Sequence, residues 1–219
     1  MEKFKAYTLA FVLTIIVCFQ GYDILEEDQH TRHQHEHIHE GELGTIPTEY
    51  PDRIVATWKD DPATSLSVTW RTSTSITEGK ALVGIATPAP NFHAKAETLT
   101  SDVTKMEPKE VEGEQVEANY HSVTFSDLKS DTIYAYRVGQ EGHWSEWFHV
   151  RTASKDPEPF SFIYLGDLQN GILSHGSRAI RGAYSKEPDA RFIIHAGDLV
   201  NRAHRNVEWA RWNRAGMDT

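Results

Sequence analysis

The feature that most constrains this chain lies in its last third, where two apolar runs each pass into the same short turn sequence. Phe160-Ser-Phe-Ile-Tyr-Leu165 leads into Gly166-Asp167-Leu168-Gln169-Asn170, and Arg191-Phe-Ile-Ile-His-Ala196 leads into Gly197-Asp198-Leu199-Val200-Asn201. Both runs have the length and β-branched or aromatic content of buried strands. Between them, Ser174 to Ser185 spaces Ile180 and Tyr184 four apart with Arg178 and Arg181 on another face, as an amphipathic helix does, and Pro188 stops it. Strand, helix, strand at this length is a βαβ unit, whose crossover forces its two strands to be parallel. Asp167 and Asp198, 31 residues apart, then leave the carboxyl ends of their strands at one edge. Neighbouring strands lie ~4.8 Å apart, close enough for two carboxylates to share a cation. Hard carboxylate oxygens suit Mg, Mn, Ca or Fe, and ligand sites of open α/β sheets lie at this edge.

Upstream, short β-branched runs recur at turn-separated intervals. Arg53–Thr57, Ser65–Arg71, Lys80–Ala86, Tyr120–Phe125, Ile133–Val138 and Trp147–Arg151 are expected strands. Leu66, Val68 and Trp70 alternate with Ser65, Ser67, Thr69 and Arg71, so one face of that strand is buried. Six or seven strands in about 100 residues imply a two-sheet sandwich. Leu128-Lys-Ser-Asp-Thr-Ile-Tyr134-Ala-Tyr136 resembles the fibronectin type III pattern, in which a leucine and a tyrosine close the corner before the penultimate strand. Glu107 to Glu117, rich in glutamate and poor in apolar residues, reads as a solvent-facing loop. His93, His121, His143 and His149 are scattered and read as surface or hydrogen-bonded histidines. Trp58, Trp70, Trp144 and Trp147 read as packing rather than as a sugar-binding face.

The other end of the chain points to export. Lys3 and Lys5 precede an uncharged run from Ala6 to Phe19, the layout of a secretory signal and too short for a retained span at ~1.5 Å per helical residue. Ile15-Ile-Val-Cys18 is close to a lipoprotein box, although Val17 is large for it. Five histidines between His30 and His39, interleaved with Glu36 and followed by Glu40, form either a solvated tether or a metal-buffering tract. Lone Cys18 excludes a disulfide framework and a multi-thiolate zinc site. Thirty-two acidic against 22 basic residues, with no local basic face, argue against nucleic-acid binding. The expected organisation is a signal peptide or lipoprotein signal over 1–20, a His-rich disordered linker over 21–47, a sandwich domain over 48–153, a stiff Pro-containing linker over 154–159 and an α/β portion over 160–219.

At the paired Gly-Asp turns behind a sandwich, the sequence resembles metallophosphoesterases of the purple acid phosphatase type, with their fibronectin-like N-terminal domain. The resemblance spans roughly Tyr50 to Thr219. It implies a multi-domain chain, an all-β fibronectin III-like sandwich followed by the βαβ start of an α/β metallophosphoesterase domain. It implies Asp167 as a ligand of a first metal and Asp198 as the bridge between two metals drawn from Fe, Mn, Zn or Mg. Asn201 stands where the family's iron-binding tyrosine would be, and Gln169 where related enzymes place a histidine. Each is therefore a candidate weaker ligand. His195 and His204 flank the second aspartate at positions where the family has no ligand, and His195 is expected to be satisfied by a backbone carbonyl. The family's later Gly-Asn-His, Val-x-x-His and Gly-His-x-His blocks have no match, so the chain is expected to be the front portion of a phosphatase, able to bind one divalent ion weakly and inactive alone.

For the complete enzyme the resemblance implies hydrolysis of a small phosphorylated substrate by metal-held hydroxide attacking in line. Export to the periplasm or exterior, or a lipid anchor as the sole membrane tie, completes the expectation; oligomeric state is not set by the sequence. Two other readings stay open: an exported binding module whose α/β part is a remnant, and a metal-handling protein run by the His tract. A dinucleotide enzyme is disfavoured because Gly166 and Gly171 do not make Gly-x-Gly-x-x-Gly.

Overall fold

In a computed structural model, residues 44–89, 91–111 and 114–217 are described. The expected signal run, Cys18 and the histidine tract lie outside the described residues. Nine antiparallel strands form two sheets. One has the order β1 (Asp52–Thr57), β2 (Leu66–Thr72), β6 (Glu114–Phe125), β5 (Asp102–Val111). The other has the order β4 (Glu97–Thr100), β3 (Lys80–Ile85), β7 (Ile133–Gln140), β8 (His143–Trp144), with β9 (Phe148–Arg151) also pairing with β7. Between the sheets sit Leu66, Val68, Trp70, Ala81, Val83, Val123, Phe125, Tyr134, Tyr136 and Val138, the inward half of each alternation. Burial of Tyr136 pushes its phenol up to about 12.

The corner reading has a direct geometric counterpart. Leu128 is buried in the core, and the Lys129 backbone N–H donates to the Tyr134 hydroxyl at 2.8 Å, so the tyrosine ties the turn to its own strand. Of the tryptophans, Trp70 is fully buried, while Arg137 lies 4.4 Å from the Trp144 ring centre and 4.9 Å from that of Trp147. Trp58 meets Phe192 edge-on.

Two expectations are corrected here. Glu107–Glu117 is not a loop: all but its turn belongs to β5 and β6, which pair in register from Asp102↔Ser122 to Val111↔Glu114 with one irregularity between Met106 and Lys109. The backbone ladder needs no apolar alternation, and across it Lys105 pairs with Glu117 at 3.5 Å. The polar face of β2 is also more covered than the alternation implies. Arg71 is completely buried, its guanidinium held by both Asp52 oxygens and by the Gly44 and Thr45 carbonyls, at 2.8 Å and 3.3 Å.

Past Arg151 the chain changes architecture. Strands β10 (Ile163–Leu165) and β11 (Ile193–His195) are parallel, with register Ile163↔Ile193 through Leu165↔His195. A π turn at Ile172–Gly176 runs into helix α1 (Ser177–Lys186), and helix α2 (Asn206–Met217) follows β11. Leu168, Ile172, Ile180 and Ala215 make a small core that Leu165, Val200 and Trp212 close. The strands are shorter and barer than the apolar runs imply: Ile163 is buried, but Tyr164 is 68% exposed. Tyr184, expected beside Ile180 on the inner face of the helix, is 58% exposed. Two strands offer helices only one face to cover, so Phe162, Tyr164 and Ile194 face out on the other. No helix among the described residues is long and apolar enough to cross a membrane.

A polar clamp joins the two architectures within the compact unit Glu40–Thr219. The Arg53 guanidinium donates to the Asn206 side-chain oxygen and, at 3.3 Å each, to the Gly44 and Asn206 carbonyls, while Asn206 Nδ2 donates to Thr45 O at 2.6 Å.

Candidate functional site

The parallel pairing brings both Gly-Asp-Leu turns to one edge of the two-stranded sheet. Ala196 N donates to Leu165 O at 2.7 Å, carrying the ladder to the mouths of the turns. The paired register ends at Leu165↔His195, so Asp167 follows its strand by two residues and Asp198 by three. Both aspartates leave the sheet in the left-handed region, Asp167 at φ 55° and Asp198 at φ 50°, with Gly197 at φ 96° just before the second. Aspartate tolerates this conformation better than most side chains. Asp127 and Asp131 adopt it too, far from this edge in sequence, so the backbone angle alone does not mark a site. What distinguishes the pair is placement: both side chains are exposed just past the ends of neighbouring parallel strands.

The expected weaker ligands are also at this edge. Gln169 Nε2 donates to Asp198 Oδ2 at 3.3 Å, and Asn201 Nδ2 donates to the Gln169 carbonyl and to Asn170 Oδ1, both at 3.0 Å. Asn170 and Glu208 were not singled out by sequence reasoning. Glu208, nearly buried in the first turn of α2, accepts from Arg202 N at 2.9 Å and pairs with Arg205 at 3.5 Å, fixing the exit of the second turn. A carboxylate in the first helical turn was the available signal for it. The first turn closes with Gly171 at φ 62°, where a Cβ would fall 2.5 Å from the His175 ring.

His195 and His204 do not join the carboxylates. His204 is exposed in the turn before α2. His195 packs its ring 5.2 Å from Trp212, and burial lowers its pKa. The carbonyl expected to satisfy it is not there for Nδ1, which is buried without a hydrogen-bond partner among the described residues. A side chain at the β11 terminus faces α2, where His195 meets the Trp212 indole.

Elsewhere, His121 is buried and bonded on both ring nitrogens, to Thr72 Oγ1 at 2.8 Å and Ser101 Oγ at 3.1 Å, and His143 pairs with Glu49 at 3.1 Å. A cleft of about 340 Å³ lies where the sandwich meets the 154–159 linker, walled by Trp58, Phe160 and Phe192 with Arg151 and Arg191 at its polar positions. Those two guanidiniums are engaged by Asp131 at 2.7 Å and Glu158 at 3.4 Å.

Residues 51–152 match the family described as purple acid phosphatase, N-terminal domain. The structure titled PhoD superposes over 78% of this chain with a TM-score of 0.51 at 12% identity; this chain covers 36% of that one. A fibronectin type III domain of human contactin 1 matches over 57% of this chain and 94% of its own, at 14% identity and a TM-score of 0.35.

Proposed function

We propose that this chain, whose residues 51–152 match the N-terminal domain of purple acid phosphatases, belongs to a metal-dependent hydrolase of phosphate esters in which Asp167 and Asp198 are metal-binding side chains. The observation carrying this reading is the juxtaposition of the two Gly-Asp-Leu turns at the carboxyl edge of adjacent parallel strands. Two exposed carboxylates, with water completing the shell, suit one hard divalent cation such as Mn or Mg. They do not suit a two-metal centre, because no three His, Cys, Asp or Glu side chains among the described residues form a group able to hold a metal. No catalytic step is therefore assigned to these residues alone. Asp167 and Asp198 would anchor the first cation; in the family the sequence resembles, the side chain corresponding to Asp198 is the one shared with a second.

The substrate class is a small phosphorylated molecule, and the charged run followed by an apolar one at the N-terminus supports an exported or lipid-anchored protein. An exported binding module is the competing reading, favoured by the same lack of a three-ligand group. The two separate in one assay. The full-length protein supplied with Mn²⁺ is expected to hydrolyse an aryl phosphate, with Asp198→Asn reducing turnover by at least about 10- to 100-fold. Unchanged turnover in that variant would remove Asp198 from the mechanism, and no hydrolysis under any cation would favour the binding module.

A further inference from the structure

The two carboxamides at the sheet edge have fixed orientations, and those orientations conflict with a ligand role. A backbone carbonyl can only accept a hydrogen bond, so the Asn201 atom 3.0 Å from the Gln169 carbonyl is its nitrogen. An ionised carboxylate likewise only accepts, so the Gln169 atom 3.3 Å from Asp198 Oδ2 is also a nitrogen. Each amide therefore turns a poor metal donor toward the neighbouring turn. The contacts form a relay: Asn201 holds the Gln169 backbone, and the Gln169 side chain holds Asp198. Asn170 Oδ1, the second acceptor on Asn201 Nδ2, closes it on the other side.

We infer that Asn201 and Gln169 are positioning residues that brace the second turn against the first and aim Asp198, and that neither is a metal ligand. The inference rests on the reading of Asp167 and Asp198 as a cation site. Its physical content is preorganisation: two exposed turns, each carrying a left-handed aspartate, gain a common geometry without cation, so less ordering remains when one binds. Side chains that hold a ligand from behind contribute to affinity through its orientation, and their loss typically costs about 10- to 100-fold in metal affinity.

The test uses Mn²⁺ and the intact chain, with affinity read from the electron paramagnetic resonance signal of free Mn²⁺. The quantity followed is the uptake that Asp198→Asn removes, which separates this site from the histidine tract. Asn201→Asp discriminates by sign. A ligand oxygen replaced by a carboxylate would bind Mn²⁺ more tightly, and the added negative charge pulls the same way. A brace replaced by a carboxylate sets an acceptor against the Gln169 carbonyl and Asn170 Oδ1, and affinity falls despite the added charge. We expect about tenfold weaker binding for both Asn201→Asp and Asn201→Ala. Gln169→Ala, which keeps the Asn201 contact to backbone, is expected to lose less and serves as the second variant should an Asn201 change disturb folding. Tighter binding by Asn201→Asp, or unaltered binding in Asn201→Ala and Gln169→Ala together, would overturn the brace while leaving the cation site standing. No Asp198-dependent uptake in the wild-type chain would overturn both.

Discussion

His121 shows how a single buried side chain makes the sandwich sensitive to acid. Thr72 Oγ1 and Ser101 Oγ lie 2.8 Å and 3.1 Å from the two ring nitrogens, and each hydroxyl can donate or accept, so a neutral ring finds a partner on both sides. The neutral ring is thereby satisfied on both sides and stacks on Trp70 at 5.1 Å. None of its neighbours Trp70, Thr72, Gly79, Ser101 and Val103 carries a charge, and burial lowers its pKa. In the unfolded chain the ring titrates near ~6.5, so below that pH the unfolded state binds the proton more readily and stability falls as pH falls, by up to about 1.4 kcal/mol per pH unit until the folded-state value is reached. Urea unfolding at pH 7.5 and pH 5 should show this loss, and His121→Gln should flatten the slope. His195, lowered in the same direction, leaves a residual slope in that variant.

At the scale of elements, α1 carries an avoidable weakness. Gly182 lies inside the helix, and a Cβ added there would meet nothing within 4 Å. Gly182→Ala should stabilise α1 by roughly 0.5–1 kcal/mol, read as slower amide exchange across Ser177–Lys186. Elements with a strong period were legible in the sequence: Leu66, Val68 and Trp70 announce a strand, and Tyr134 its corner. Strand β5 and the first half of β6 were not, although Tyr120–Phe125 was, because cross-strand backbone bonds leave no apolar alternation to read there. The βαβ order told which edge Asp167 and Asp198 share, since a crossover fixes strand direction. It could not tell that Gln169 and Asn201 present nitrogen inward, because spacing carries no information on which end of an amide faces a neighbour. Glu208 had a signal in its first-turn position and its Arg205 neighbour, but its bond to Arg202 N, a backbone group, has no side-chain signature.

A charged junction joins the β-rich and α/β portions of the molecule. Burial, together with the nearby Arg71 charge, lowers the Arg53 pKa. Asp52 offsets one charge, and the carbonyls of Gly44, Thr45 and Asn206 satisfy much of the rest. Asn206→Ala removes both the acceptor for Arg53 and the donor to Thr45, a loss of about 1–3 kcal/mol for partly buried groups left short of partners. The expected readout is faster proteolysis in the 154–159 linker with the far-ultraviolet signal of the sandwich retained. Unchanged cleavage would show that the Trp58–Phe192 contact holds the portions together without the clamp.

The one-residue offset between the turns makes the two motifs unequal despite their matching letters. Realigning the turns by deleting a residue would shorten the path to a carboxylate by one residue, roughly 3.3 Å of extended chain. That length exceeds a magnesium–oxygen bond of about 2.1 Å. An engineer grafting this pair onto another scaffold would have to copy the stagger as well as the sequence.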